Sequence, residues 1–164
     1  HLRIAGNGCP AQLSDGRFVE TVIEAEEAAV IYYSDLELEI TEGQVVEYLP
    51  LIEKAFTELN ARGVRIAIDD FGTGYSSLAY LMQLSVTTVK IDRAFIKEVN
   101  MKHTGNSIIN TIVAMARGLS LNVIAEGVET REQLGMLRSW GSQECQGFLF
   151  SPAVPAGEFL ARFG

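Results

Sequence analysis

The chain has 164 residues, of which 48% are hydrophobic and 21% are charged, and its formal net charge is −8. This length and composition are ordinary for one globular domain with a hydrophobic core. The acidic balance excludes a general binder of nucleic-acid polymers, because no basic stripe is available to neutralise phosphates. An anionic substrate would need metal ions or a local positive group to offset the acidic surface.

Cysteine and histidine are scarce, and none of them has a neighbour at metal-ligand spacing. The two cysteines are Cys9 and Cys145, and the two histidines are His1 and His103. This usage argues against a zinc site or a disulfide framework and favours a reducing cytoplasm. No apolar run approaches the ~20 residues of a membrane span, and no signal peptide is visible. Because the first residue is not Met, we expect a piece of a longer polypeptide, which could carry a membrane anchor elsewhere.

Short apolar runs alternate with longer amphipathic runs along the chain. The predicted strands cover residues 2–5, 36–41, 64–69, 88–91, 122–125 and 144–150. The predicted helices cover residues 17–28, 45–61, 77–82, 105–118 and 131–139, with a last one from residue 156. Capping boxes support two helix starts, at Thr41–Gln44 and at Thr130–Gln133. Glycines stand where helix ends need a left-handed residue, at Gly63, Gly118 and Gly141.

The regular alternation of strand and helix predicts an α/β fold, because parallel strands need crossover helices. Six strand-helix units are present, whereas a (β/α)₈ TIM-like barrel has eight units and takes about 250 residues. Either the sheet is open, or two further units lie upstream of these residues.

Polar side chains cluster at one place in each unit, the carboxyl end of the strand. The candidates are Asn7, Glu39, Glu42, Asp69, Asp70, Lys90, Asp92, Glu126, Glu129 and Gln146. In barrels and in open parallel sheets alike, active sites form at that end of the strands. We therefore expect these acids, amides and lysine to converge on one rim.

The adjacent acids Asp69 and Asp70 point most directly to chemistry. They end a strand of apolar or small residues, and a glycine-spaced loop over residues 72–77 follows them. Like charges this close repel each other unless a cation sits between them. Carboxylate and amide oxygens suit Mg²⁺, Mn²⁺ or Ca²⁺ better than zinc, and two ions about 4 Å apart are typical of phosphodiester hydrolysis. We expect the loop to be mobile, with Ser76 or Ser77 capping the next helix.

Several candidates also have a plainer interpretation. One of the adjacent acids could merely cap a helix, and Lys90 could be a salt-bridge partner inside a barrel. Glu126 and Glu129 could complement the dipole of the following helix. Glu37 and Glu39 alternate along one strand, so we expect one of them to be solvated. An unrelated metal-dependent barrel enzyme, of an aldolase or enolase type, would explain the acids but not the loop.

Four segments match known motifs in the right order. They are residues 69–78 (Asp-Asp-Phe-Gly-Thr-Gly-Tyr-Ser-Ser-Leu), 90–93 (Lys-Ile-Asp-Arg), 125–130 (Ala-Glu-Gly-Val-Glu-Thr) and 146–151 (Gln-Gly-Phe-Leu-Phe-Ser). Together with residues 39–42 (Glu-Ile-Thr-Glu) and Asn7, they resemble the EAL domain over nearly the whole chain. EAL domains are bacterial signal-transduction phosphodiesterases that linearise the second messenger cyclic di-GMP to pGpG.

The resemblance implies a modified (β/α)₈ barrel with two Mg²⁺ or Mn²⁺ ions at its rim. Carried over by position, four side chains would serve the metals, with Asn7, Glu39 and Asp69 as ligands and Asp70 on the second ion. Lys90 would hold the nucleophilic water, and Glu126 would be the general base.

The remaining positions would support that site. Glu42 would anchor the loop of residues 70–77, which in this family also contributes to dimerisation. Gln146 would support the metal-bound water or the substrate, and Asp92 and Glu129 would contact or support the substrate. The resemblance also implies a homodimer and an upstream regulatory domain in the parent protein.

One departure bears on activity. The family's Glu-Ala-Leu strand, with a further metal-ligating glutamate and a phosphate-binding arginine, is absent from these residues, and Cys9 stands where serine is usual. We therefore interpret residues 1–164 as a single EAL-type domain that is N-terminally incomplete. Two interpretations stay open: a phosphodiesterase whose isolated chain could lack activity, or a catalytically inactive module that binds cyclic di-GMP or a protein partner.

Overall fold

Six parallel strands form one sheet in the computed structural model, which describes residues 3–9, 12, 17–29, 31–74, 78–99 and 103–163. The strands pair in chain order, each parallel to the next. They are β1 (Ile4–Asn7), β2 (Leu36–Thr41), β3 (Arg65–Phe71), β4 (Thr88–Ile91), β5 (Asn122–Ala125) and β6 (Glu144–Cys145). The α/β fold with parallel strands and crossover helices is thereby confirmed. The predictions for Leu2, Ser76 and Ser77 fall outside the described residues.

Helices connect the strands. They are α1 (Phe18–Ala29), α2 (Glu42–Ala61), α3 (Leu78–Gln83), α4 (Arg93–Lys97), α5 (His103–Gly118), α6 (Arg131–Trp140) and α7 (Ala156–Phe163). A single 3₁₀ turn at Tyr33–Asp35 precedes β2. The sequence did not predict this turn or α4, because elements this short carry no readable apolar period. Both capping boxes are confirmed, at the starts of α2 and α6.

Two local predictions are wrong. The strand predicted over residues 144–150 ends at Cys145, because the chain then turns and the Phe150 amide bonds to the Gly147 carbonyl at 3.0 Å. Gly118 is the last residue of α5, and Ser120 takes the left-handed conformation instead, with φ of 58°. The prediction for Gly63 and Gly141 is confirmed by φ values of 101° and 95°. The predicted strand was thus too long, whereas α5 ends where predicted and only its left-handed residue lies further along the chain.

The hydrophobic core lies between the sheet and its helices. Ile66 and Ile68 of β3 belong to the same fully buried cluster as Phe56 and Leu59 of α2. Burying each of these side chains contributes about 1.5–3 kcal/mol relative to leaving it in water. Because strand side chains alternate between faces, the opposite face of the sheet is left for other residues.

That opposite face is concave, as is shown by an arginine at one edge of the sheet that reaches the other edge. Arg3, just before β1, has its Nη1 atom 3.2 Å from Oε2 of Glu144 on β6 and 3.6 Å from Oε2 of Glu37 on β2. Thr88 Oγ1 also donates to Glu37 at 3.3 Å. The expectation that either Glu37 or Glu39 is solvated is wrong, since the two-residue period puts both on this face, with side-chain exposures of 3% and 12%.

A search of the described helices for a membrane span found none that is both long enough and apolar enough to cross a bilayer.

The capping box of α6 gives a test of the fold. Thr130→Ala removes the hydroxyl that accepts from the Gln133 amide at 3.2 Å, so we expect the free energy of unfolding to fall by about 1 kcal/mol in urea titrations. Thr57→Ala is the control, because that hydroxyl is exposed in mid-helix and donates to the Glu53 carbonyl of its own helix. Alanine favours helix interiors, so the control should lose nothing. Equal losses in both variants would contradict the capping role.

Candidate functional site

The strand register aligns the predicted side chains at one end of the concave face. Asn7 is paired with Glu39 across β1 and β2, and Lys90 is paired with Ile124 across β4 and β5. Asp69 follows Ala67, the partner of Glu39, by two residues, and Glu126 follows Ile124 by two. In the same way Gln146 follows Glu144, the partner of Ile124. A two-residue step returns a strand side chain to the same face, so these polar groups share one rim.

Asp70 reaches the rim by a different route, because its strand position alone would point it to the other face. The pairing of β3 with β4 shifts between Ile68 and Phe71, and Asp70 has a left-handed φ of 54°. Such a bulge re-aims a side chain at the end of a strand. Carboxylate oxygens of Asp69, Asp70 and Glu126 lie within 4.8 Å of one another. The bulge is therefore what makes the adjacent acids a cluster.

Lys90 stands at the centre of this cluster. Its Nζ atom lies 2.7 Å from Glu39 Oε1, 2.6 Å from Glu126 Oε1 and 3.5 Å from Asp69 Oδ1, and the lysine is only 3% exposed. Burial by itself would lower the pKa of Lys90, but the hydrogen bonds to Glu126 and Glu39 outweigh it and raise that pKa. The lysine is therefore a permanent cation that ties three strands together.

Two acids of the cluster, Glu126 and Asp70, are destabilised as anions. Burial is the main cause that raises the pKa of Glu126, and the bond to Lys90 opposes it. Burial also raises the pKa of Asp70, together with a hydrogen bond to Asp92 and the charge of Asp69. One lysine does not neutralise this many acids, so the donor set fits a hard divalent cation.

The other candidates occupy distinct places. Gln146 Nε2 donates to Glu126 Oε1 at 2.6 Å, and Asp92 Oδ1 caps α4 by accepting from the Ala94 amide at 2.7 Å. Asn7 is exposed at the edge strand, beside Glu39. Glu129 is exposed, and its backbone amide donates to Gln133 at 2.8 Å. Gln146 and Asp92 are thus brought to the cluster, whereas no contact recorded among the described residues brings the Glu129 side chain there.

Glu42 lies apart from the cluster, buried beneath the loop that follows β3. It is 2% exposed, and its Oε2 atom accepts from the Gly72 amide at 3.0 Å. Gly74 passes directly over it, since a Cβ at that position would lie 3.7 Å from Oε2 of Glu42. Glu42 is therefore placed to hold the loop and not to bind a metal with the rim acids.

Two glycines that directly follow rim residues allow close backbone packing, which the sequence analysis did not foresee. A Cβ on Gly127 would lie 2.5 Å from Arg93 Cβ, and a Cβ on Gly147 would lie 2.3 Å from the backbone N and O of Val128. Val128 bonds through its amide to Gln146 at 3.0 Å and through its carbonyl to Leu149 at 3.0 Å. This pairing fixes the positions of Gln146 and of the loop after Glu126. The repeated polar-residue-then-glycine pattern was the available signal.

The packing at Gly147 gives a second test. Gly147→Ala puts a methyl group against the Val128 backbone at a φ of +150°, so we expect a loss of about 2–3 kcal/mol in the free energy of unfolding. Gly135→Ala in α6 is the control, because its Cβ would meet nothing within 4 Å and alanine should stabilise the helix by roughly 0.5–1 kcal/mol. Chemical denaturation of both variants measures the difference. A Gly147→Ala protein as stable as wild type would refute the close approach.

Parallel strands with crossover helices place the chain in the TIM-barrel-like class, with an acidic rim whose residues Asp69, Asp70 and Glu126 could hold a metal ion. The chain matches the family model described as the EAL domain over residues 1–153, and it belongs to the EAL domain family. The relative NbdA of Pseudomonas aeruginosa, named a cyclic di-GMP phosphodiesterase, is 41% identical over 169 residues, covering 99% of this chain and 21% of that protein. The chain thus spans about a fifth of that relative's length.

Solved structures agree with this membership. The PaMucR phosphodiesterase in complex with c-di-GMP has a TM-score of 0.90 at 39% identity, over 96% of this chain and 64% of that one. The manganese and cyclic di-GMP complex of Klebsiella pneumoniae BlrP1 has a TM-score of 0.85 at 32% identity, over 92% and 38% of the respective chains. The prediction of a TIM-like barrel with about six units present is confirmed by these likenesses.

Proposed function

We propose that this chain is the larger part of a metal-dependent phosphodiesterase that hydrolyses cyclic di-GMP to linear pGpG in bacterial signalling. The observation that carries the proposal is the contact of Lys90 with both Glu39 and Glu126, beside the Asp69 and Asp70 carboxylates. A mere receptor for an anion gains nothing from such a concentration of negative charge. An enzyme that uses cations to bind a phosphodiester requires it.

The donor set suits two Mg²⁺ or Mn²⁺ ions, with Asn7, Glu39 and Asp69 as ligands of one and Asp70 serving the other. When bound, such ions would offset the phosphate charge and lower the pKa of bound water. Asp92, hydrogen-bonded to Asp70, would stay close to that second position. The ligand oxygens come from three neighbouring strands, so the sheet itself would set their spacing.

Lys90 and Glu126 would act on the attacking water. A protonated lysine has three donors, of which two are used on Glu39 and Glu126, and the third would be shared between Asp69, 3.5 Å away, and a water molecule. Both Lys90 and Gln146 bond to the Oε1 atom of Glu126. The Oε2 atom would then take the proton from water, and the raised pKa of Glu126 brings this base closer to neutral pH.

Four acids or amides would support the reaction from around this pair. Gln146 would orient Glu126 and the substrate or its water, and Glu42 would anchor the loop that begins at Asp70. Asp92 and Glu129 would serve the substrate. We further propose a homodimer, an upstream regulatory domain and a cytoplasmic reaction, of which the greater length of NbdA supports only the second.

We infer that two further strand-helix units of the domain would fit between β6 and β1. A cavity of about 1150 Å³ lies between these edges, lined by Ile4 on one side and by Cys145 and Phe148 on the other, and it opens onto Glu126. Ile4 and Phe148 are 52% and 72% exposed, which is unusual for large apolar side chains lining one cavity. Two parallel strands with their helices would cover this surface and complete a barrel of eight.

The same open cavity favours a second candidate function. An EAL module without a closed barrel could bind cyclic di-GMP or a protein partner and lack turnover. The two candidates differ in what Glu126 does, since a receptor needs no base.

Replacement of the proposed base separates them. In Glu126→Gln we expect turnover of cyclic di-GMP with Mn²⁺ to fall by roughly 10²–10⁴-fold while dinucleotide binding stays within a few-fold of wild type. Chromatography of the linear product measures turnover, and calorimetry measures binding. Glu53→Gln, an exposed position on α2, is the control for the same chemical change and should keep full activity.

The outcomes have separate meanings. Turnover by wild type and Glu53→Gln but not by Glu126→Gln supports the enzyme. Equal turnover in all three proteins overturns the role of Glu126. Binding without turnover in wild type supports the receptor, unless a chain extended at its N-terminal side hydrolyses the substrate, which would support an enzyme that needs the two further units.

A further inference from the structure

Tyr80 is bound to the buried carboxylate beneath the rim loop. Its hydroxyl donates to Glu42 Oε1 at 3.1 Å, while the other oxygen of the same carboxylate, Oε2, accepts from the Gly72 amide at 3.0 Å. Tyr80 lies on α3 and Glu42 is the first residue of α2, and both are buried, with exposures of 4% and 2%. A carboxylate so far from water depends on its hydrogen-bond donors.

The other end of this connection is the metal-type cluster. Gly72 is two residues beyond Asp70, which has a left-handed φ of 54°, a conformation that costs free energy in a residue other than glycine. Thr73 closes the turn, since both its amide and its hydroxyl donate to the Asp70 carbonyl, at 3.3 and 2.8 Å. The bond from Gly72 to Glu42 holds this turn down onto the protein. Whatever fixes Glu42 therefore also fixes the strained backbone conformation that re-aims the Asp70 side chain.

Packing alone does not explain the residue at position 80. Tyr80 belongs to the hydrophobic core cluster, and a phenylalanine ring would fill the same space. Within the part of the chain that the structure describes, the hydroxyl adds the bond to Glu42. It holds the carboxylate turned so that Oε2 faces Gly72, because an acceptor with one donor on each oxygen is held in one orientation.

We propose that Tyr80 is a positioning residue, whose hydroxyl acts through Glu42 and Gly72 to hold Asp70 in its metal-binding place. This inference rests on the proposed function, in which Asp70 serves a divalent cation. It adds a residue on α3, away from the rim, to the set that determines metal affinity.

Tyr80→Phe tests the proposal in the full chain by two readouts. We expect the affinity for Mn²⁺, measured by electron paramagnetic resonance of the free ion, to weaken about tenfold, the lower end of the range for outer groups that orient metal ligands. We also expect faster hydrogen–deuterium exchange in the peptide that contains Gly72, measured without metal. Both readouts concern the loop and not the global stability of the fold.

Tyr48→Phe is the matched control. Tyr48 lies on α2 and its hydroxyl is hydrogen-bonded to Glu47, so this variant also loses one tyrosine–glutamate bond. It should leave both readouts as in wild type. Asp69→Asn is the reference for damage to the metal site itself, and it should weaken Mn²⁺ binding without changing exchange at Gly72.

The results decide the two proposals separately. Faster exchange with weaker Mn²⁺ binding in Tyr80→Phe alone supports the positioning role. Unchanged exchange overturns it, and so does faster exchange with unchanged Mn²⁺ affinity, which would leave Tyr80 a purely structural residue. If wild type and Asp69→Asn bind Mn²⁺ equally, the proposed metal site fails, and the assignment of Tyr80 to it fails as well, whatever the exchange rates show.

Discussion

The arrangement of the rim depends on one buried cation, the ammonium group of Lys90. Carboxylate oxygens of three acids lie within 3.5 Å of it. Glu39 lies on β2, Asp69 lies on β3, and Glu126 directly follows β5. Removing one partner of a buried charge typically costs 3–5 kcal/mol, because the remaining charge is left unpaired. The acids and the lysine therefore require each other, and neither can be exchanged for an apolar residue without affecting the other strands.

The two faces of the sheet have different roles: one carries the hydrophobic core and the other carries the polar side chains of the candidate site. On the face against the helices, Ile66 and Ile68 of β3 belong to one cluster with Phe56 and Leu59 of α2, and all four have almost no exposure. The concave face carries the charges, with Arg3 beside Glu37 and Glu144 at one end and Lys90 among the rim acids at the other. Because strand side chains alternate, a polar substitution on the concave face leaves the helix-facing core intact. This division lets a rim of acids exist on a stable scaffold.

The sequence predicted the architecture well because its signals are periodic. The strands 36–41, 88–91 and 122–125 match the structure to the residue, since each apolar run has a sharp polar or glycine boundary. The convergence of Lys90, Glu126 and Asp69 also follows from parallel strands alone. The bulge at Asp70 could not be predicted, because nothing in two adjacent aspartates says which one leaves the strand geometry. The same holds for Tyr80, whose sequence position reads only as helix core.

Curvature finally determines whether the rim residues act as one site. Asn7 on β1 and Gln146 after β6 come from the two edges of the sheet, so the distance between them is set by how strongly the sheet bends. At the opposite end of the strands, the ion pair of Arg3 with Glu144 joins those edges directly. At the rim, Gln146 is instead linked towards the centre of the sheet by its bond to Glu126, which in turn contacts Lys90. Glycines at 127 and 147 let the loops after β4, β5 and β6 pack against each other without side chains between them. The rim is thus held by short polar contacts across neighbouring strands, and two further strand-helix units would add support on the side of Asn7, where the sheet now ends in an exposed edge.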